Sequence, residues 1–218
     1  MSRLIAFCFA VTLAPALVAA EYPDPERFRA AVDAFGAQPV SQGAIIATGS
    51  SSMRGWHRRI SNDLTPLSIV PRGFGGSNMS DVRYFLNEIV LKDRPKAVLL
   101  YEGDNDVALG ASPDEILGHF DAIVSGIHAE LPDTRIYVLA VKPSIARWQM
   151  WEVMQTTNGL LRSRCGENPQ LTFIDVATPM LGEDGAPMEH LFVQDMLHMT
   201  DAGYDIWRDA VRPVLVDA

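Results

Sequence analysis

Four short stretches of the chain hold side chains that could act together on a carbonyl group: Gly49-Ser50-Ser51-Ser52, Gly73-Phe74-Gly75-Gly76, Gly103-Asp104-Asn105-Asp106 and Asp195-Met196-Leu197-His198. A serine hydroxyl attacks an acyl carbon effectively when a base takes its proton. His198, just ahead of a helix that Thr200 can cap, is the imidazole placed for that role. Asp195, three residues earlier, can fold back in one turn to hold the ring's tautomer and stabilise its protonated form. The oxyanion that forms needs donors already in place. The N–H groups of Ser51 and Gly76 and the Asn105 side-chain amide are of the right kind. Glycine at 76 leaves its amide open, because no Cβ obstructs the approach.

Each stretch also has a plainer explanation. Gly-Ser and Gly-Gly clusters are ordinary turn chemistry. Residues 103–106 could form a carbonyl-and-carboxylate cup for Ca²⁺, although they lack the length and closing Glu of an EF-hand loop. Asp195 and His198 could be a surface cap pair. His57, His119, His128 and His190 have no comparable setting and read as structural. The chemical reading gains from the four stretches being of different residue types, each needed once.

The flanking pattern says how they would be brought together. An apolar run over 43–48 ends in the glycine and serines, so a first strand feeds a tight turn and then a helix over 53–60. Further strands are expected over 67–70, 96–101, 135–141 and 171–176, with helices over 26–35, 80–91, 112–131, 148–165 and 200–214. Ser112-Pro113-Asp114-Glu115 is a strong helix start, with a capping Ser, Pro in the first helical position and Glu three after the cap. Residues 97–101 lack polar alternation, as in a parallel strand covered on both faces. The alternation of strands and helices predicts a three-layer α/β/α, flavodoxin-like fold: a five-stranded parallel sheet with helices on both faces. Ligands of such sheets bind beyond the carboxyl ends of the strands. Three of the four stretches follow the first three strands, and so share that rim.

Composition bounds the partners. The chain has 218 residues, 48% of them hydrophobic and 21% charged, which suits one globular domain. A net charge of -9 without a Lys/Arg-rich run is poorly matched to phosphate backbones, so nucleic acid is excluded as a partner. Residues 1–20 have a basic start at Arg3, an apolar stretch and small residues before Glu21, the pattern of a secretory leader cleaved after Ala20. The apolar stretch is short for a membrane span and Pro15 interrupts it, so no stable anchor is expected after cleavage. The mature domain, 21–218, would be secreted or periplasmic. Cleavage would leave Cys165 alone, which allows neither an intramolecular disulfide nor a cysteine-based metal site.

Taken together the four blocks resemble the SGNH hydrolases, the GDSL lipase/esterase superfamily, named for Ser, Gly, Asn and His in four such blocks. The likeness runs from about Ile45 to Trp207. Arg72-Gly73-Phe74-Gly75-Gly76-Ser77, Lys142-Pro143-Ser144, Arg147-Trp148 and Gly203-Tyr204 place it nearest the branch similar to platelet-activating-factor acetylhydrolase subunits. The resemblance implies Ser51 as nucleophile rather than Ser50 or Ser52, His198 as base, Asp195 as its partner, and Ser51, Gly76 and Asn105 as oxyanion donors. The chain departs from the family pattern at Ser50, where the family name has Asp, and at Pro71, where an Asn often precedes the glycine-rich turn.

The expectation is a serine esterase without metal or cofactor, acting on small short-chain esters of the acetyl type, acetyl groups on sugars included. Lysophospholipids or thioesters are the alternative substrates, and a silent carbohydrate-binding relative is the alternative class. A fluorophosphonate probe separates the last, since a binding module would not be modified. Arg147, Trp148 and Trp151 follow the fourth strand and could line a pocket, although two Trp three apart on a helix also suit a core. Nothing in the sequence sets an oligomeric state.

Overall fold

A computed structural model describes residues 19–41 and 43–216. All but the last two residues of the expected leader lie outside the described residues. Five strands, β1 (Ile45–Gly49), β2 (Ile69–Gly73), β3 (Ala97–Tyr101), β4 (Arg135–Leu139) and β5 (Leu171–Ile174), form one parallel sheet in the order β2-β1-β3-β4-β5. This is the sheet expected from the alternating pattern. Gly49 stands in register with Gly73 on one side and Tyr101 on the other. The segments leaving β1, β2 and β3 therefore emerge side by side at one rim.

The helices are α1 (Arg29–Gly36), α2 (Ser51–Trp56), α3 (Ile60–Asp63), α4 (Met79–Tyr84), α5 (Leu86–Ile89), α6 (Asp104–Ala108), α7 (Pro113–Glu130), α8 (Trp151–Gly166) and α9 (Asp201–Val216). Strand side chains alternate between two cores, as the two-residue period requires. Ile46, Val98, Leu100, Ile136 and Val138 pack with Val32, Val82, Ile89, Phe120 and Leu161 of α1, α4, α5, α7 and α8. Ile45, Ala47, Leu99, Tyr101, Tyr137 and Leu139 pack with Met53, Trp56, Ile60, Trp207 and Val211 of α2, α3 and α9. Both faces are covered, which is why these strands lack polar alternation.

Several expected elements differ in extent, three of them near the site. The helix over 80–91 breaks at Phe85 into α4 and α5, and Phe85 sits fully buried at the break. The helix expected over 53–60 starts earlier, at Ser51, and stops at Trp56 before α3 resumes at Ile60. Strand β2 extends to Gly73 and includes Pro71, which an edge strand tolerates because one side of its backbone has no sheet partner. The buried Arg72 is held there by the Ile89 carbonyl at 2.7 Å and Asp93 at 2.5 Å.

Candidate active site

The turn after β1 depends on a glycine. Gly49 has φ +138°, and a Cβ there would lie 1.9 Å from the Tyr101 carbonyl oxygen. Ser50 continues in extended geometry and donates its N–H to that same oxygen at 3.1 Å. Ser51 is then the first residue of α2. Its Oγ stands 2.8 Å from His198 Nε2, and His198 Nδ1 stands 2.6 Å from Asp195 Oδ2. A carboxylate only accepts hydrogen bonds, so Nδ1 carries the ring proton and Nε2 accepts from the Ser51 hydroxyl. Ser50 Oγ is buried without a partner, and Ser52 is buried with its carbonyl accepting from the Tyr204 hydroxyl at 2.9 Å. Among the described residues, Ser51 is thus the serine of the three that meets an imidazole.

The fourth stretch forms a tight turn between β5 and α9. Met196 has φ +56°, and its N–H donates to the Val193 carbonyl at 2.8 Å. Asp195 Oδ1 accepts the N–H groups of Leu197 and His198, each at 2.9 Å. Partial burial acts to raise the Asp195 pKa, but the His198 ring and these two N–H groups outweigh it and hold the carboxyl at about 2. The pair is open to solvent, with side-chain exposures of 41% for His198 and 49% for Asp195.

The other two stretches meet this centre at the rim. The glycine-rich turn after β2 is tied down by the Phe74 N–H on the Gly49 carbonyl at 2.8 Å and the Ser77 N–H on the Phe74 carbonyl at 3.2 Å. Gly76 has φ +88°, and nothing lies within 4 Å of the place where its Cβ would be. Neither the Gly76 nor the Ser51 N–H donates to another described residue. The segment 103–106 begins α6, with Gly103 as its N-cap residue. Asn105 Nδ2 donates to the Ser77 carbonyl at 2.7 Å with one of its two hydrogens, and Oδ1 accepts from Arg147 at 2.9 Å. The structure thus brings Ser51, His198 and Asp195 into one hydrogen-bonded series and joins Asn105 to the turn that contains Gly76.

Sequence reasoning noted residues 142–147 without seeing what they do. Arg147 holds the Asn105 amide and pairs with Asp104 at 3.3 Å. The Ala146 N–H donates to the Met196 carbonyl at 3.0 Å, and Lys142 Nζ donates to the Leu197 carbonyl at 2.8 Å. This segment therefore buttresses both the Asn105 amide and the loop that presents Asp195 and His198. Burial pushes the Lys142 ammonium down to about 8, with the Arg147 charge adding to the shift and Asp104 and Asp195 opposing it. The signal available was two cationic residues placed just beyond an apolar strand. Trp148 and Trp151 stack at 5.8 Å; Trp148 is exposed, while Trp151 packs partly against both cores.

A layer of buried carboxylates lies under the rim. Glu102 accepts from the Ser77 hydroxyl at 2.5 Å. Asp106 accepts from the Met79 N–H at 3.1 Å and the Tyr22 hydroxyl at 3.2 Å. Burial drives the Glu102 pKa well up and raises Asp106 to about 7. Asp104 and Asp106, two acids of the conceivable Ca²⁺ cup, are thus engaged with protein partners. His57, read as structural, accepts the Gly73 N–H through Nε2 at 2.7 Å.

Comparison with known proteins speaks to the family and the fold. The model of the GDSL-like lipase/acylhydrolase family matches residues 23–206. Platelet-activating factor acetylhydrolase IB subunit alpha1 of Pongo abelii is 29% identical over 145 residues, covering 64% of this chain and 60% of the relative. The chain thus spans about 60% of the length of that curated relative. A GDSL-like lipase from Bacteroides thetaiotaomicron superposes with a TM-score of 0.70 at 21% identity, covering 89% of this chain and 98% of that one. A family 3 carbohydrate esterase from Clostridium thermocellum superposes with a TM-score of 0.61 at 15% identity, covering 81% of this chain and 98% of that one. At these identities the two structures speak to the fold alone.

Proposed function

Because the chain belongs to the GDSL-like lipase/acylhydrolase family, we propose that it hydrolyses carboxylic esters with Ser51 as nucleophile, His198 as general base and Asp195 as the partner that orients His198. The observation that carries this is the unbroken series from Ser51 Oγ through His198 to Asp195. In the first half-reaction His198 Nε2 takes the hydroxyl proton as Ser51 Oγ bonds to the acyl carbon. The oxyanion rests on the N–H groups of Ser51 and Gly76 and on the remaining Asn105 Nδ2 hydrogen. His198 then protonates the departing alcohol, which leaves an acyl-serine. Water, deprotonated by the same ring, releases the acid. Asp195, ionised throughout, keeps Nε2 free to accept.

We read the substrate as a short-chain, acetyl-type ester met outside the cytoplasm after removal of residues 1–20. The relatives' name as acetylhydrolases supports an acetyl group as the acyl portion, and the open setting of His198 and Asp195 supports a substrate taken directly from solvent. A longer acyl group is the second reading, favoured by a groove of about 760 Å³ beside the His198 loop, lined by Met188, Phe192, Val193 and Met196.

Labelling with a fluorophosphonate, followed by mass mapping, is expected to place the adduct on Ser51. Ser51→Ala should lower kcat on p-nitrophenyl acetate by on the order of 10⁶ while leaving the circular dichroism spectrum unchanged. Asn105→Ala should cost about 10²–10³ in kcat. An adduct on another serine, or full activity in Ser51→Ala, defeats the reading. An ester series from acetyl to long acyl, with lysophospholipid and acyl-CoA alongside, decides between the two substrate readings.

A further inference from the structure

We propose that the cleft between α1 and α2 is a subsite for an anionic substituent on the substrate, held by Arg54; this rests on the ester-hydrolase reading above. Arg54 follows Ser51 by three residues on α2, so the two side chains share a helix face. They converge on Gly75. The place where a Cβ on Gly75 would stand is 3.3 Å from Arg54 Nη1, 3.6 Å from Arg54 Cδ and 3.7 Å from Ser51 Cβ. Glycine there lets the guanidinium lie across the turn that also carries Gly76.

Arg54 is exposed and, among the described residues, has neither a carboxylate partner nor a side-chain hydrogen bond. Its neighbours differ: Arg58 pairs with Asp201, and Arg59 pairs with Asp63 at 2.7 Å and Asp205 at 2.5 Å. The cleft holds about 410 Å³ and is walled by Phe28, Phe35 and Phe74, with Arg54 and His57 as its charged and polar groups. Because His57 Nε2 accepts from Gly73, its Nδ1 carries the proton and adds a second donor. Burial, with the Arg54 charge behind it, lowers the His57 pKa to about 4, so the ring stays neutral. In a chain of net charge -9, a cleft beside the candidate nucleophile thus holds a cation, a neutral donor and an apolar wall, with no carboxylate among its lining residues. A guanidinium fork matches phosphate, sulfate or carboxylate oxygens in pairs. The ligand is therefore an ester with an apolar body and one such anionic group.

Two pairs of esters, each matched except for charge, test this: para-acetoxybenzoate against its methyl ester, and phenyl hemisuccinate against methyl phenyl succinate. The first pair puts the anion on the alcohol portion and the second on the acyl portion. In at least one pair the wild-type kcat/KM should favour the anion by about tenfold, the worth of a charge-assisted contact. Arg54→Gln should bring that ratio to about one and Arg54→Glu should invert it. Arg94→Gln, at the amino end of β3, should leave it unchanged. A ratio within one preparation is independent of the fraction folded, so a poorly folding variant still reports. Calorimetric binding of phenyl phosphate needs no turnover and should weaken about tenfold in Arg54→Gln. Equal kcat/KM within both pairs, together with phenyl phosphate binding indifferent to Arg54, overturns the subsite and leaves ester hydrolysis standing. Failure to hydrolyse any of the four esters, with phenyl phosphate still held through Arg54, defeats ester hydrolysis and retains the anion site.

Discussion

At the scale of single residues, the protonation states of the candidate site follow from their partners. Asp195 is held at about 2 by donors that survive only while it is ionised. Its depressed pKa makes the charged form the folded form, and any stability it adds is lost as pH falls through that low value. Because the carboxyl is largely exposed, that stability is small. The functional consequence is larger. The pH profile of kcat/KM should show no limb from the Asp195 carboxylate between about pH 3 and 5. Asp195→Asn should lower kcat by on the order of 10³–10⁴, because the amide can present a hydrogen to Nδ1 and turn the ring to the wrong tautomer. A carboxylate limb in that range of the wild-type profile would count against this account.

At the scale of elements, short connections do the positioning. The β1–α2 turn relies on Gly49, where the positive φ and the closeness of the Tyr101 carbonyl both exclude a Cβ. Gly49→Ala should destabilise the fold by about 3 kcal/mol or more in urea unfolding, since backbone rather than a flexible side chain must move. The segment after β4 is the second positioning element. Arg147 orients the Asn105 amide and draws on its carbonyl end, which makes Nδ2–H a better donor. Arg147→Ala should lower kcat by up to about 10², with KM much less affected, because a donor displaced by a fraction of an ångström is lost mainly to the transition state. Phosphonate labelling of Ser51 should slow in parallel, and Arg147→Lys should restore little, lacking the planar fork that also reaches Asp104. A kcat unchanged in Arg147→Ala would reduce the segment to packing.

At the scale of the whole molecule, the buried carboxylates set the pH at which the fold is most stable. Asp106, raised to about 7, binds more protons folded than unfolded, and Glu102 acts in the same sense. Where the folded state binds more protons, stability falls as pH rises. Below about pH 6.5 the lowered His57 pKa acts in the opposite sense, so urea midpoints should decline from about pH 6.5 to about pH 8. The decline should shrink in Asp106→Asn, which removes the titration while keeping an oxygen for the Met79 N–H. A midpoint that rises with pH over that range would reverse the sign of the argument. The proposed removal of residues 1–20 predicts that amino-terminal sequencing of the mature chain begins at Glu21.

Much of this was legible in the sequence, because it depends on local chemistry. Apolar alternation between strands and helices, the Ser112 capping box and the unbroken apolar run at 97–101 specify a doubly covered parallel sheet, since each depends on neighbours a few residues away. Asp195 and His198 are equally local, three residues apart and joined within one turn. The choice among Ser50, Ser51 and Ser52 rested on resemblance. It became physical only when the Tyr101 carbonyl, Tyr204 and His198 had been placed around them. The hold of Arg147 on Asn105 and the approach of Arg54 to Ser51 across Gly75 were likewise decided by tertiary structure. The physical reason is separation: periodicity and capping report contacts within a turn or two of chain, whereas His198 meets Ser51 across 147 residues. Only the parallel register of β1 with β2 and β3, and the loops folded over that rim, could bring such groups together.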